Sequence, residues 1–384
     1  YEVMPWPDRI YQGLYRIAGT DQKERIPRSY STQMQVMINT LNDIRTSDKQ
    51  ISGTHGIGVL MANSLMFQRF PDHNGYDDPQ FSSFYGQTLP LLKRGIPVEL
   101  VHMENTPFKD TFNGLQVLVM SYSNMKPMKS EYHNYLADWV KKGGTLVYCG
   151  EDVDPYQTVL EWWNTEGNAY KAPSEHLFEA MGLSRNPGDG TYRFGKGTVI
   201  VMREDPKHFV LKGGNDRKYF ETIASAYESK TGKKIEIKNN FMVERGPYTI
   251  AAVMDESSSK EPLKLSGLYI DLFDKGLPVL TVKQINPGEQ GYLYDLNKVS
   301  GKVKAKVLCG ASRIYDEKVG RQSYSFVAKS PLHTTNVSRV LLPRKPEKVL
   351  VNGKAEQPEW DESSKTLLLS FENDPAGVNV SIEW

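Results

Sequence analysis

The sequence predicts a multi-domain α/β plus all-β protein, with an open, mostly parallel sheet of the flavodoxin or amidotransferase type followed by antiparallel β-sandwich domains. Two observations predict this order. Between residues 50 and 205, apolar runs that are typical of buried strands alternate with segments of helical periodicity. After residue 232, short β-rich runs follow one another with Gly, Pro and Asn between them, as in antiparallel sandwiches.

The first element is a segment rather than a domain. Residues 1–4 predict the end of a strand, which cannot continue past the prolines at positions 5 and 7. Pro27 predicts the start of a helix that extends to about Ile44. One strand, one loop and one helix cannot enclose a core, so we expect residues 1–50 to dock on another domain or to be the tail of one. Because the sequence starts at Tyr1 without an initiator Met, we expect that it was processed or cut from a longer chain.

The clearest element is a strand–helix–strand unit in residues 115–150. Residues 115–120 and 145–149 are apolar runs between polar turns, as in strands that are buried on both faces. Between them, an amphipathic segment begins at a candidate N-cap, Ser130, and ends at a glycine pair, which predicts a helix. A parallel crossover is the simplest topology for such a unit.

The remaining elements follow from the same two patterns. Before residue 232, further strands are predicted at residues 57–62, 98–102 and 198–202, and helices at residues 81–92, 156–164, 173–181 and 217–230. After it, strands are predicted at residues 241–244, 248–254, 268–273, 279–285, 291–296, 303–308, 323–327, 338–342, 348–351, 367–371 and 378–383.

Composition excludes some classes of partner. The chain has 47 basic and 46 acidic residues, so its charge predicts neither a nucleic-acid partner nor an anionic membrane surface. No apolar run reaches the roughly 20 residues that span a bilayer, and we therefore expect no membrane partner. Cys149 and Cys309 fit no metal spacing and are compatible with the cytoplasm, the periplasm or secretion, so the compartment stays open.

Three short motifs carry a resemblance to a known family. They are the helix end and strand RGIPV at residues 94–98, the buried strand LQVLVMSY at residues 115–122, and KKGGTLV at residues 141–147. In this order they resemble the amidotransferase-like trimerisation domain that follows the catalytic barrel of glycoside hydrolase family 42 β-galactosidases. The first residues, YEVMPWPDRIY, resemble the last strand of such a (β/α)8 barrel, and the β-rich end resembles the sandwiches that complete these enzymes.

The resemblance implies a domain plan and a function. It implies the end of a barrel at residues 1–50, an α/β trimerisation-type domain at 51–232, a β-rich domain at 233–300 and a β-sandwich at 301–384. The chain would then be the C-terminal portion of a glycoside hydrolase that acts on a carbohydrate substrate, without a cofactor, as a homo-oligomer and specifically a trimer. The sequence departs from the family because it lacks the barrel strands that would carry the acid/base carboxylate.

That departure leaves few candidates for glycosidase chemistry. Retaining glycosidases use two carboxylates roughly 5 to 5.5 Å apart, and only Glu2 lies where a barrel strand would deliver one. Glu2 is therefore a candidate nucleophile, with a pocket-rim role or a structural pair with Arg9 as alternatives. Trp6, Tyr11 and Tyr15 are candidate sugar-binding aromatics, and packing is the alternative for each.

Cys149 is a second catalytic candidate, because the amidotransferase fold places its nucleophile just after this strand. His176, with Glu175 or Glu179, could complete a thiol site. However, the glycine pair that allows a tight nucleophile elbow is missing, since Val147 and Glu151 occupy those positions. A buried, inert cysteine is the alternative.

Three further features bear on binding. The acidic residues 151–154 could hold a hard cation, but capping of the following helix explains them as well. The histidines show no pair at ligand spacing on a predicted helix, so we predict no metal site. Of the adjacent Trp162 and Trp163, one is expected in the core and the other as an interface anchor.

Three hypotheses remain open at this point. The preferred one is the C-terminal, accessory portion of a glycoside hydrolase. The alternatives are a carbohydrate-binding or assembly protein without catalysis, and a thiol hydrolase or amidotransferase-like enzyme that uses Cys149.

Overall fold

The computed structural model describes residues 13–44, 49–66, 80–299, 301 and 304–384, apart from the side chains of residues 65 and 66. The chain forms two compact units. Of the described residues, the α/β unit contains those in Ser52–Phe241 and Glu256–Lys260, and the β unit contains those up to Ile51 and those in Met242–Asp255 and Glu261–Trp384. In the part of the chain that is described, no helix is long and apolar enough to cross a membrane.

The β unit begins with a small hairpin and one long helix. Its elements are β1 (Leu14–Arg16), β2 (Lys23–Arg25), α1 (Arg28–Asp43) and β3 (Lys49–Ile51). Pro27 directly precedes α1, as predicted, because its fixed φ suits the start of a helix. The helix buries Val36 in a core that also contains Tyr248, Leu308 and Cys309.

A six-stranded sheet forms the centre of the α/β unit. Its strands are β4 (Ile57–Met61), β5 (Glu99–His102), β6 (Val117–Met120), β7 (Thr145–Cys149), β8 (Gly190–Phe194) and β9 (Gly197–Met202). The spatial order is β5-β4-β6-β7-β9-β8, in which all neighbours are parallel except the hairpin of β8 and β9. The first four strands thus follow the flavodoxin-like order 2-1-3-4.

Helices cover both faces of this sheet. They are α2 (Gly86–Leu92), which continues a π-helical turn at Phe81–Tyr85, α3 (Tyr132–Lys141), α4 (Pro173–Ala180), α5 (His208–Leu211) and α6 (Asn215–Thr231). Single 3-10 turns lie at Asn63–Met66 and Met103–Asn105. Alternation along β6 divides the core: Leu118 packs in the cluster that includes Leu136 of α3, whereas Val119 packs in the cluster that includes Ile223 of α6.

The predicted helix at residues 156–164 is wrong. This segment forms turns, because polar side chains bind the backbone groups that a helix would use. Asp154 accepts from the Tyr156 amide, and the Asn164 side-chain oxygen accepts from the Glu161 amide. The acidic residues before this segment therefore do not cap a helix. Trp163 lies in the core at 2% exposure, as expected for one of the two tryptophans.

Besides the hairpin of β1 and β2, three antiparallel sheets build the described part of the β unit. The six-stranded sheet has the order β13-β12-β14-β11-β10-β3. Its remaining strands are β10 (Asn240–Arg245), β11 (Tyr248–Val253), β12 (Leu263–Asp271), β13 (Val279–Ile285) and β14 (Gln290–Asp295), after which a 3-10 turn follows at Leu296–Lys298.

The last two sheets pack face to face as a β-sandwich. One has the order β15-β18-β22-β21 and the other β16-β17-β23-β19-β20. Val340 and Leu367 from the first sheet share one core with Phe326 and Val380 from the second. The strands are β15 (Lys306–Gly310), β16 (Arg313–Val319), β17 (Ser323–Lys329), β18 (Thr335–Leu341), β19 (Lys348–Val351), β20 (Lys354–Ala355), β21 (Glu359–Asp361), β22 (Thr366–Glu372) and β23 (Val378–Glu383).

This architecture confirms the predicted fold class of an α/β sheet followed by antiparallel β-sheets. The four-segment domain plan stays a prediction. In space, the described residues up to Ile51 group with the C-terminal sheets.

Candidate functional site

Open parallel sheets bind ligands outside the carboxyl ends of their strands, at the point where the strand order reverses. In the α/β unit this point lies between β4 and β6, which are neighbours while β5 lies on the outer side of β4. The loops after these strands are tied together, since Ser64 Oγ donates to the Lys126 carbonyl at 2.7 Å. The side chains at this carboxyl edge are therefore the first candidates for a binding site.

A buried ion pair occupies the edge beyond β6. Lys126 Nζ lies 2.7 Å from Asp154 Oδ2, and the two side chains are 7% and 2% exposed. The ammonium also donates to the Tyr122 carbonyl at 2.5 Å. Burial lowers the pKa of Lys126, while the Asp154 carboxylate acts in the opposite direction. The two charges thus compensate each other within the chain.

A second ion pair follows β7. Asp152 Oδ2 accepts from Arg203 Nη1 at 2.6 Å and from Ser174 Oγ at 2.7 Å, and its other oxygen accepts from the Tyr148 hydroxyl. Arg203 is held further by the Pro187 carbonyl at 2.9 Å. The alternative of a cation at residues 151–154 therefore has little support, because Asp152 and Asp154 bind cationic side chains. Among the described residues, no three His, Cys, Asp or Glu side chains form a metal-binding group.

Two histidines link the core to the surface. His133, fully buried, has Nε2 at 2.6 Å from the Tyr122 hydroxyl and Nδ1 at 2.8 Å from Nδ1 of His176. Burial raises the pKa of Tyr122 well above its usual value, so this hydroxyl keeps its proton and donates to His133. Neutral His133 then donates from Nδ1 to His176. Burial lowers the pKa of His133 well below its ordinary range and that of His176 to a smaller extent.

The same edge contains an amide with no partner. Asn124 is fully buried and left-handed, with a φ of 54°, a conformation that Asn tolerates better than most residues. Neither its Oδ1 nor its Nδ2 has a hydrogen-bond partner among the described residues. Close by, a Cβ on Gly150 would lie 3.0 Å from Ser123 Oγ, so a larger residue would have to displace that side chain.

Cys149 lies on the face of the sheet opposite to the histidine pair. Its side chain packs in the cluster of Val147, Tyr219 and Ile223, whereas Tyr148, the preceding residue, packs with α4 on the other face. Cys149 is fully buried, and burial raises its thiol pKa far above the usual value. His176, considered as its partner, hydrogen-bonds to His133 instead. The catalytic thiol stays a prediction to which this geometry lends no support.

The other predicted site residues are mostly outside the described part of the chain. Glu2, Trp6 and Tyr11 lie there and are not placed. Tyr15 is described: it lies in β1, pairs with Glu24 across the hairpin, is 41% exposed and donates from its hydroxyl to Glu24 Oε2 at 3.1 Å. Its role as a sugar-binding aromatic stays a prediction.

Sequence reasoning missed the polar residues of this edge. Their contacts join residues that are separated along the chain, and only the fold makes these contacts. They are those of Tyr122 with His133, of Lys126 with Asp154 and of Arg203 with Asp152. A signal was present in the run SYSN at residues 121–124, which is polar directly after a buried strand although its residues are buried.

One open cleft lies near the end of β9. It has a volume of about 590 Å³ and is lined in part by Glu151, Glu204, His208 and Lys212. Glu204 accepts from Asn215 Nδ2 at 2.5 Å and lies 3.8 Å from His208 Nδ1. The cleft carries charges of both signs.

Comparison with known proteins returns only distant structural likenesses. No protein-family model matches the chain, and no curated protein matches it. Among solved structures, the β-galactosidase from Bacillus circulans sp. alkalophilus matches with 12% identity and a TM-score of 0.41, over 68% of this chain and 43% of its own. A β-galactosidase from the psychrophilic Marinomonas ef1 matches with 11% identity and a TM-score of 0.37, over 68% and 41%.

A third structure is the α-L-fucosidase isoenzyme 2 from Paenibacillus thiaminolyticus, with 9% identity and a TM-score of 0.29 over 87% of this chain and 49% of its own. These structural neighbours are glycoside hydrolases. The chain spans about half or less of the length of each.

Proposed function

We propose that this chain supplies accessory domains to a glycoside hydrolase of the β-galactosidase type, which acts on O-glycosidic bonds of a carbohydrate. The observation that carries the proposal is the occupied carboxyl edge of the parallel sheet. Its charges are paired: Lys126 with Asp154, which are both buried, and Arg203 with Asp152, which are both partly buried. Open parallel sheets usually bind their ligands at this edge. Here the charged side chains at the edge bind one another, which favours a structural role for the α/β domain.

The sequence motifs support the choice of enzyme class. The three motifs that resemble the trimerisation domain of family 42 enzymes belong to three strands of one sheet. RGIPV leads into β5, LQVLVMSY contains β6, and KKGGTLV contains the start of β7, which neighbours β6. Glycosidase chemistry needs a pair of carboxylates. We assign that pair to a catalytic barrel outside this chain. Glu2 is the one candidate by which this chain could contribute a carboxylate to the pair.

The mass of the polypeptide that the natural source produces tests the proposal. Denaturing electrophoresis and mass spectrometry should give a product well above the 43.5 kDa of this chain, and that product should hydrolyse aryl β-galactosides. The 43.5 kDa chain produced alone serves as the control and should show no turnover. A natural product of 43.5 kDa, or a longer product without glycosidase activity, would overturn the proposal.

We also propose that the chain assembles as a homo-oligomer, specifically a trimer. Apolar side chains are exposed in the loops that cover the carboxyl edge: Val153 is 75% exposed, Leu160 81% and Met128 54%. Trp162 joins these loops, since its Nε1 donates to the Pro127 carbonyl at 2.8 Å. Exposed apolar surface of this kind is typical of an interface between subunits.

A further inference from the structure

The β unit contains a cleft that the proposed function does not use. It has a volume of about 590 Å³, lies beside the last turn of α1, and is bounded by β15 and the first half of β16. This volume falls within the roughly 300–1,000 Å³ of small-molecule sites.

Side chains of α1 present unused hydrogen-bonding groups to this cleft. Asn39 lines the cleft and donates from Nδ2 to the Gly310 carbonyl at 3.0 Å, which ties the helix to β15, whereas its Oδ1 is buried and not open to a ligand. Asn42 and Asp43 follow at the next helical turn and also line the cleft. The Tyr248 hydroxyl donates to Asp43 Oδ2 at 2.8 Å, which orients the carboxylate and leaves Oδ1 for another donor.

The charges that line the cleft balance. Asp43 and Glu317 are acidic, and Lys306 and Arg313 are basic. Glu317 already accepts from the Tyr324 hydroxyl. A cleft with no excess of either sign gives no general attraction to an anion or a cation, so its hydrogen-bonding groups favour an uncharged ligand.

An aromatic face completes the lining. Tyr315 lies in β16, lines the cleft and is 43% exposed. Lys329 Nζ lies 5.5 Å from its ring centroid, so an ammonium group covers one face of the ring. The C–H groups of a sugar ring carry a small positive charge and pack on such a face.

From these contacts we infer that the cleft of α1, β15 and β16 binds a neutral carbohydrate. A hydroxyl group of the sugar would donate to Asp43 Oδ1, and its other hydroxyls would bind Asn42 and Arg313. One face of the sugar ring would pack on the face of Tyr315 that Lys329 leaves uncovered. This inference goes beyond the proposed function, because the cleft would hold a sugar without hydrolysing it. The cleft could bind a sugar in this way even if the chain did not belong to a glycosidase.

Isothermal titration calorimetry on the complete chain tests this site. Galactose, lactose, cellobiose and maltotriose are the probes, and at least one should bind with a dissociation constant of about 1 mM or tighter. Asn42→Ala and Tyr315→Ala should each weaken that binding by about tenfold or more, because both residues are exposed and line the cleft. Tyr30→Ala is the matched control, since Tyr30 is 52% exposed on the same helix but lies outside the cleft lining.

Three outcomes would overturn the inference. One is the absence of binding for all four sugars, and another is unchanged binding in both cleft variants. The third is binding of glucuronate or sulfate in preference to the neutral sugars, with loss in Arg313→Ala, which would make the cleft an anion site. These outcomes are independent of aryl-galactoside hydrolysis by the natural polypeptide, so failure here and failure of the proposed function are distinguishable.

Discussion

Cys149 ends strand β7, and its thiol is enclosed by the core beneath α6. Burial raises its pKa, and burial also raises the pKa of Cys309 to about 12. The thiolate fraction of both is therefore negligible near neutral pH. We expect no reaction of the native chain with a disulfide reagent at about pH 8, and two reactive thiols after unfolding in guanidinium chloride.

The Cys309→Ala variant isolates the thiol of Cys149. With the disulfide reagent, the native variant should show no reactive thiol, and the unfolded variant should show one reactive thiol per chain. Rapid reaction of the native variant would revive the thiol-hydrolase hypothesis.

The histidine pair predicts a pH dependence of stability. His133 is held neutral because burial lowers its pKa, so the unfolded chain binds its proton at a higher pH than the folded chain does. Stability is then complete above the unfolded pKa of about 6.5 and falls as the pH decreases below it. For one fully buried histidine, the loss between about pH 7 and pH 5.5 is about 1 kcal/mol.

Urea unfolding at these two pH values measures this loss. His133→Gln removes the titrating group, so its stability should depend less on pH although it is lower at neutral pH. An equal pH dependence in the variant and the parent would contradict the assignment.

At the scale of elements, the loops at the carboxyl edge depend on a buried charge pair. Lys126→Met leaves the buried Asp154 carboxylate without its cation, although Gln157 Nε2 still donates to it at 2.9 Å. Removing one partner of a buried pair costs about 3–5 kcal/mol. Lys126→Met should lower the free energy of unfolding by this amount, and the double variant with Asp154→Asn should recover part of it.

Lys129→Met is the matched control for this experiment. Lys129 pairs with Glu131 at 3.4 Å, but the two side chains are 64% and 52% exposed. Exposed pairs contribute about 0–1 kcal/mol. Equal losses for Lys126→Met and Lys129→Met would show that the buried pair does not stabilise the edge.

The elements themselves were largely predictable, whereas the contacts between their ends were not. The strand predicted at residues 145–149 is β7, and the helix predicted from Pro27 is α1, because periodicity and helix-start residues act locally. Strand β16 was missed, since most of its residues are exposed and its sequence RIYDEKV carries little apolar alternation. The pairing of Lys126 with Asp154 depends on which loops the sheet places side by side. No local sequence pattern predicts the neighbours of a loop.

At the scale of the whole molecule, the proposed assembly rests on exposed apolar loops. Leu160 is 81% exposed, so Leu160→Glu should leave the fold unchanged. In a subunit interface the new charge would be desolvated, which strongly disfavours association. We expect light scattering coupled to size-exclusion chromatography to give a trimer for the parent chain and a smaller species for the variant.

Leu332→Glu controls for the added charge, because Leu332 is 54% exposed in the β unit. It should leave the trimer intact. A monomeric parent chain would contradict the proposed assembly, and a trimer in Leu160→Glu would exclude this loop from the interface.

The pairing of β3 with β10 determines when the β unit can be completed during synthesis. Ile51 pairs with Val243, so about 190 residues, including nearly all of the α/β unit, emerge between the two strands. At about 5–20 residues per second, β3 on the nascent chain waits roughly 10–40 s for its partner. The α/β unit has most of its own chain available in that interval and can fold first, while the edge of β3 stays unpaired and open to pairing with other chains.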